Sequence, residues 1–539
     1  MKTSRILTVI LVLFLTFSLG VGRSTAQESG PGAVRQAVIG TGFTYQGQLK
    51  TSGGSPITTT CDFQFTLWDA LSGPTQVGAA STVTGVSVVN GVFTAQVNTG
   101  SEFGATAFGG AARWLEIGVK CSGESSFTIL SPRQPLTPAP YALALPGLRT
   151  EENAASPNVI GGYSGNTVAS GVVGATIGGG GWTGYINSVT ANLGTVSGGF
   201  VNTASGGAAS VGGGIGNTAS GSSSTASGGE GNLASNQHAT VGGGMTNTAS
   251  GIDSTVSGGE SNAASYTFST VGGGQNNTAN GDHATVSGGE SNTASGLGTI
   301  GGGRNNTAGL AGTIGGGQNN TAGLTGTIGG GFGNNASAQD STVGGGQNNT
   351  ASGPFSTLGG GNANTASGTF STLGGGNANN ASGQYATVAG GYQTSATHYG
   401  ETAHASGQFV SPNGEAQASE YVLRNATSNA TLTELFLDGV SQRITLVSSQ
   451  TLSFDILIVA HASNGASAGY QITGLIENVA GTTTIVGTPQ FSVLGEDVPA
   501  WNANVVADNA NDALEIQVTG EAGVNIHWVA SVRTVEVSW

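Results

Sequence analysis

Charge is scarce in this 539-residue chain: only 8% of its residues are Asp, Glu, Lys or Arg, against 97 glycines. That composition fits neither an ordinary globular domain nor a charged disordered tail. The few charges lean acidic, 28 against 13 basic, for a net −15. Such a chain repels nucleic acid and anionic lipid headgroups, so no nucleic-acid partner is expected. Cysteine is nearly missing too, with Cys61 and Cys121 the only two. Beyond residue 19 no run is apolar enough to span a bilayer as a helix, so no transmembrane helix is expected in the processed chain.

The first residues read as a secretory signal, 1–26: Lys2 and Arg5, an apolar run from Ile6 to Leu19, then Ser24-Thr25-Ala26. An uncleaved anchor is the alternative, but the run is shorter than the ~20 residues a spanning helix needs. Cleavage would remove Lys2, Arg5 and Arg23 and no acid, taking the net charge from −15 to −18. No cysteine follows the cleavage site to carry a lipid. The expected location is therefore outside the cell or on the surface of a bacterium. In an exported chain Cys61 and Cys121 read as a disulfide, with two buried free thiols the alternative.

Three compositions follow. Residues 40–145 alternate like strands. Cys61, Phe63, Phe65 and Leu67 share one face of a strand, and Leu115, Ile117, Val119 and Cys121 share one face of another. Both cysteines thus sit on apolar faces that could meet across a small β-sandwich core. Asn90-Gly91, inside Val86–Val97, signals a tight hairpin. Pro132, Pro135, Pro138 and Pro140 predict a stiff neck.

Residues 155–410 decide the architecture. An apolar residue precedes each glycine cluster: Val196, Val211, Ala226, Val241, Val256, Val271, Val286, Ile300, Ile314, Ile328, Val343, Leu358, Leu373 and Val388. The spacing is 15 residues, tightening to 14 between Val286 and Ile328. Midway runs an alanine column that includes Ala249, Ala279 and Ala294, each two residues after an asparagine. A fixed short period signals a solenoid, and recurrent Gly-Gly excludes helix. The expectation is an all-β chain: a parallel β-solenoid of two short strands per coil, valines and alanines inward, flanked by two β-sandwich domains. The asparagine column predicts stacked amide hydrogen bonds. One Val and one Ala per coil bury less apolar surface than ordering fifteen residues demands, which favours a homo-oligomer. Residues 415–539 read as eight or nine strands of a sandwich or jelly roll.

The repeat units, such as Asn247-Thr-Ala-Ser-Gly-Ile-Asp-Ser-Thr-Val-Ser-Gly-Gly, resemble the head repeats of trimeric autotransporter (YadA-like) adhesins. That resemblance implies a left-handed β-roll, a homotrimer, and adhesion or display toward a host-cell, matrix or glycan ligand. Asn-Thr-Ala-Ser-Gly replaces the family's collagen-binding pattern, so collagen binding is not carried over. Neither a coiled-coil stalk nor a membrane barrel is visible. The C-terminal segment is similar in arrangement to the tips of phage-type trimeric fibres.

Candidate chemistry is thin. Gly296-Leu-Gly-Thr-Ile-Gly301 matches a dinucleotide fingerprint but lies inside the repeat without a βαβ context. His398 and His404 are the only close histidine pair, with no cysteine or paired carboxylate beside them in sequence. Glu496, Asp497, Asp508 and Asp512 are loop acids without a calcium-loop pattern. No catalytic residue, metal ligand or cofactor is assigned, and no enzyme activity is expected. Besides adhesion, two other functions remain open: a structural filament or envelope scaffold, and an ice-binding solenoid suggested by threonine columns that lie on different strands.

Overall fold

The computed structural model describes residues 41–104, 107–108, 111–137, 147–410 and 413–539. The signal-like segment 1–26 lies outside them, as do Pro138 and Pro140. All regular elements among the described residues are strands, and no helix there is long and apolar enough to cross a membrane. The chain divides after Ala144 into two compact units.

The first unit has six strands: β1 (Phe43–Gln48), β2 (Thr59–Trp68), β3 (Gln76–Val88), β4 (Val92–Val97), β5 (Trp114–Cys121) and β6 (Thr128–Pro135). Strands β1 and β4 pair antiparallel, and the others form a sheet in the order β3-β2-β5-β6. Alternation buries Phe63, Phe65 and Leu67 of β2 against Phe93 and Val97 of β4, and the Phe63 and Phe93 rings stack at 4.0 Å. Three expectations change here. Asn90 and Gly91 do adopt positive φ (53° and 81°), but β4 bridges β3 only at Val89–Val92 and then pairs with β1. Crossing to the other sheet lets Phe93, Ala95 and Val97 face the core. The cysteines form a disulfide within one sheet rather than across the sandwich: Cys61 sits directly opposite Cys121 on β2 and β5, Cα atoms 3.9 Å apart. Pro132 and Pro135 belong to β6, an edge strand where a missing N–H is tolerated.

In the second unit the chain winds from Asn158 to Ser406 as a parallel solenoid. Two-residue strands stack in strict register, Thr255 on Thr270 and Val256 on Val271 in one ladder. The alanine-bearing strands form a parallel sheet of 16 strands. The strands are shorter than the sequence suggests, and each winding has a third ladder. Single residues bridge in parallel down a column through Glu230, Met245, Glu260, Gln275 and Glu290. It arises because the glycine pair turns a corner before the asparagine, leaving one extended residue between two bends. At Gly259 φ is +89°, and a Cβ there would strike the carbonyl of Gly274 in the next coil, so only glycine fits.

Every predicted core residue is buried: Val211, Val241, Val256, Val271, Val286, Ile300, Ile314, Ile328, Val343, Leu358, Leu373, Val388, Ala249, Ala279 and Ala294. The asparagines are buried with them, Asn262 being 1% exposed. Their amides bond mainly to backbone, not chiefly to one another as the sequence suggested. Asn262 Nδ2 donates to Gly258 O (3.0 Å) and Gly274 O (2.8 Å), while its backbone N–H donates to Asn247 Oδ1 (3.0 Å). The pattern repeats from coil to coil until Thr394 takes the asparagine position near the end. The amide thus satisfies the Gly258 carbonyl and adds a second donor to Gly274 O, which also accepts the Glu260 N–H.

The 14-residue coils are compensated internally. Gly298, Gly312 and Gly326 stand where other coils turn Ser269 or Ala284 inward, and in the same coils isoleucine replaces valine at 300, 314 and 328. The larger side chain fills the volume the smaller one gives up.

The last winding merges with the C-terminal part. Strand Thr402–Ser406 pairs parallel with Thr387–Tyr392 and antiparallel with Ala416–Thr427. From there the antiparallel sheet continues through Ile526–Ser538, Gln450–Ala462, Ser467–Val479 and the edge strand Thr482–Glu496. A smaller sheet of Leu432–Glu434, Ile444–Thr445, Asn502–Asp508 and Ala513–Thr519 is its partner. Trp528, Tyr470, Phe454 and Trp501 fill the core between them. Solenoid and C-terminal sandwich therefore form one unit.

Candidate functional site

Polar groups converge where the final coil meets the sandwich. Glu401 closes the last turn just before Thr402, Gln417, Ser419 and Tyr421 alternate inward along Ala416–Thr427, and Glu536 lies on the final strand. Glu401 and Glu536 are 1% and 6% exposed. Glu401 Oε2 accepts the backbone N–H groups of Thr397 (2.7 Å) and His398 (2.9 Å) and lies 3.0 Å from His398 Nδ1. The other imidazole nitrogen faces Thr445 Oγ1 at 2.9 Å. Glu536 accepts from Gln417 Nε2 (2.9 Å) and Gln450 Nε2 (2.6 Å).

Ser419 Oγ lies 2.8 Å from Oε1 of both Glu401 and Glu536, and its single hydrogen serves one carboxylate at a time. Burial first, then the charge of Glu401, raises the Glu536 pKa against its bonds to Gln417 and Ser419. Burial also pushes Glu401 upward, but His398, the backbone N–H of His398 and Ser419 outweigh it and hold Glu401 below the ordinary carboxylate value. Burial would depress His398, yet the hydrogen bond and charge of Glu401, with Glu536 beyond, leave its pKa raised. Burial and the two carboxylates push the Tyr421 phenol well up. Carboxyl, hydroxyl, carboxylate and imidazole form a closed relay that clamps coil to sandwich.

A second arrangement is exposed. Phe355, Phe370 and Tyr385 occupy one corner of successive coils, each near φ +60°. Their rings stack at 4.8 Å and 5.2 Å with interplanar angles of 8° and 3°, and Tyr399 closes the row edge-on. Stacking offsets part of the cost of a left-handed conformation, about 1–2 kcal/mol per residue.

The other candidates disperse. Gly296–Gly301 spans a turn and strand of a shortened coil. His404 is exposed on Thr402–Ser406, whereas His398 is held by Glu401 and Thr445. Glu496 accepts from Tyr470 and Asp497 from the Ser467 N–H. Asp508 binds the loop at Ala510 and Asn511, and Asp512 accepts from Thr483. The relay was invisible in sequence because its members lie far apart along the chain. The parity of Asn and Ala, two residues apart, was the available signal for the buried amides.

A family model described as a domain of unknown function (DUF8740) matches residues 44–133, within the first unit. No curated protein matches the chain. Among solved structures it is similar to the tailspike protein gp49 of Acinetobacter baumannii bacteriophage Fri1, a capsular polysaccharide depolymerase. Identity is 8%, covering 80% of this chain and 93% of that one, with a TM-score of 0.17. It is also similar to the tailspike of Acinetobacter phage vB_ApiP_P1, at 9% identity over 69% and 80% of the two chains, TM-score 0.19. TM-scores this low carry no conclusion about fold or activity.

Proposed function

We propose that this chain is an exported, non-enzymatic fibre protein that works as a homotrimer in adhesion or display, its solenoid presenting the C-terminal sandwich. The observation that carries the reading is the unbroken run of in-register windings, whose sheet passes directly into that sandwich. A structure of this kind holds surfaces at a distance. The convergent carboxylates Glu401 and Glu536 are buried and hydrogen-bonded across the junction, which supports a mechanical role for them. The adhesin-like repeats support the trimer, as does the edge strand Thr482–Glu496, whose Val486, Phe491, Val493 and Leu494 are exposed. An uncovered apolar edge favours association with further chains.

Light scattering on the full secreted chain tests this directly, and a mass three times that of one chain is expected. A clean monomer would sink the trimer. The same open edge favours a second reading, a structural filament or scaffold, which ligand-free growth beyond three chains would establish.

A further inference from the structure

One winding breaks the repeat outward. From Ile177 to Val196 the coil is longer than its neighbours, and the surplus forms a turn, Trp182-Thr183-Gly184-Tyr185, on the single-residue ladder. The turn is closed twice, Trp182 N–H to Tyr185 O at 3.0 Å and Tyr185 N–H to Trp182 O at 2.9 Å, with Gly184 at φ +80°. Trp182 is 73% exposed and Tyr185 56%. The ring of Phe200, in the next coil, meets Tyr185 edge-to-face at 6.0 Å and fixes its orientation.

We propose that this turn is a binding site for a neutral glycan, with the Trp182 indole as the platform for a pyranose ring. The proposal rests on the display reading and supplies a ligand class for it. Three observations point to sugar. First, the indole face is free: among the described residues no other ring stacks on Trp182. At the Phe355–Phe370–Tyr385 corner, by contrast, the Phe370 ring is stacked on both sides and the others on one. The C–H face of a pyranose needs an open aromatic face.

Second, charge is sparse around the turn, and the one cation among the described residues that reaches the adjoining coil, Arg149, is engaged by the Ser164 and Asn166 carbonyls and by Glu151. Residues 153–229 contain no Asp, Glu, Lys, Arg or His. An anionic polysaccharide or a charged protein would find only Arg149 nearby, already paired with Glu151, whereas a neutral sugar needs no counter-charge. Third, Thr183 stands exposed within the turn itself and offers a hydroxyl of the kind sugar hydroxyls pair with. A turn standing out from the ladder also obstructs flat packing of another copy at this position.

The test is calorimetric titration of the full chain with cellohexaose, mannohexaose, laminarihexaose and, as the charged control, hexagalacturonate. At least one neutral oligosaccharide should bind, with tryptophan fluorescence changing in parallel and affinity unaffected by salt. Trp182→Ala should weaken binding roughly tenfold or more while leaving the melting temperature unchanged. The proposal is overturned if no neutral oligosaccharide binds, if only hexagalacturonate does, or if Trp182→Ala binds as tightly as the parent. It is equally overturned if Trp182→Ala changes the mass of the assembly, which would make the patch a contact between copies. Retained adhesion by Trp182→Ala would remove this site and leave the display reading standing. A monomeric parent that still binds sugar would do the reverse.

Discussion

Within one continuous unit, the solenoid and the C-terminal sandwich solve the same problem by different means. The sandwich encloses Trp528, Tyr470, Phe454 and Trp501 between two sheets, and its polar side chains mostly point away. The solenoid has nothing so large inside. Its coils enclose a Val, Ile or Leu, an Ala, and an Asn tied by hydrogen bonds to glycine carbonyls of its own coil and the next. One region is held chiefly by apolar area, the other by a hydrogen-bond ladder threaded through a narrow apolar interior. Buried amides act as core residues wherever each donor and acceptor has a partner.

The sharpest way to break this comparison is Asn277→Leu, a change of similar volume. It leaves the Gly273 carbonyl and the Asn292 N–H without these partners, while Gly289 O keeps the Gln275 N–H. At ~1–3 kcal/mol for each buried orphan, a loss of roughly 4 kcal/mol is expected. Hydrogen exchange should show it as lost protection in the adjoining coils, while the sandwich stays protected. If Val271→Ala costs as much, the amide ladder is not the dominant support.

The first unit adds a third strategy, a covalent link between neighbouring strands. Replacing both Cys61 and Cys121 by Ser opens a connection spanning a sequence separation of 60. Chain-entropy arithmetic predicts a loss of roughly 4 kcal/mol from that unit alone. A calorimetric trace in which the solenoid transition moved as well would contradict the division after Ala144.

The relay supplies a smaller effect, read through pH. Glu536 and His398 have raised pKa values in the fold, so their contribution is present in acid and fades as pH climbs through those values. Glu401 is held low, so its contribution is present above its ordinary value of 4.5 and fades in stronger acid. Melting temperature should therefore peak between these limits. Glu536→Gln, which cannot ionise, should flatten the alkaline decline and leave the acid limb; an unchanged alkaline limb would show that Glu536 does not contribute to it.

The smallest expected effect is Ile314→Val, about 1 kcal/mol, because Gly312 leaves no side chain to fill the gap. Adding Gly312→Ala should deepen the loss rather than repair it, because a Cβ there would press on the Ala322 carbonyl of the next coil.

Much of this was readable in the residues, and the reasons for the rest are physical. The valine and alanine columns were legible because burial restricts side-chain type at every turn, so Val256 and Ala249 announce themselves. The third ladder was not, because its side chains face water and burial sets no rule for them: Phe200, Glu230, Met245 and Arg304 all occupy it. The asparagines were seen as a column but assigned the wrong partners, since polarity suggested amide meeting amide where glycine carbonyls were closer. In the first unit the Asn90-Gly91 bend was correct, while the partner of β4 depended on Phe63, distant in sequence. The relay was hidden for the same reason, with Glu401 and Glu536 joined only through the folded sheet.

The in-register stacking of near-identical windings has a consequence for how such a chain can change. Deleting the stretch from Thr255 to Ser269 would bring Thr240 against Thr270 and Asn247 against Asn277, restoring each bond with a like partner. Length is therefore adjustable in whole steps of ~4.8 Å without redesigning any part. The outgrowth at Trp182 has no interchangeable neighbour, and it marks a fixed point on an otherwise extensible scale.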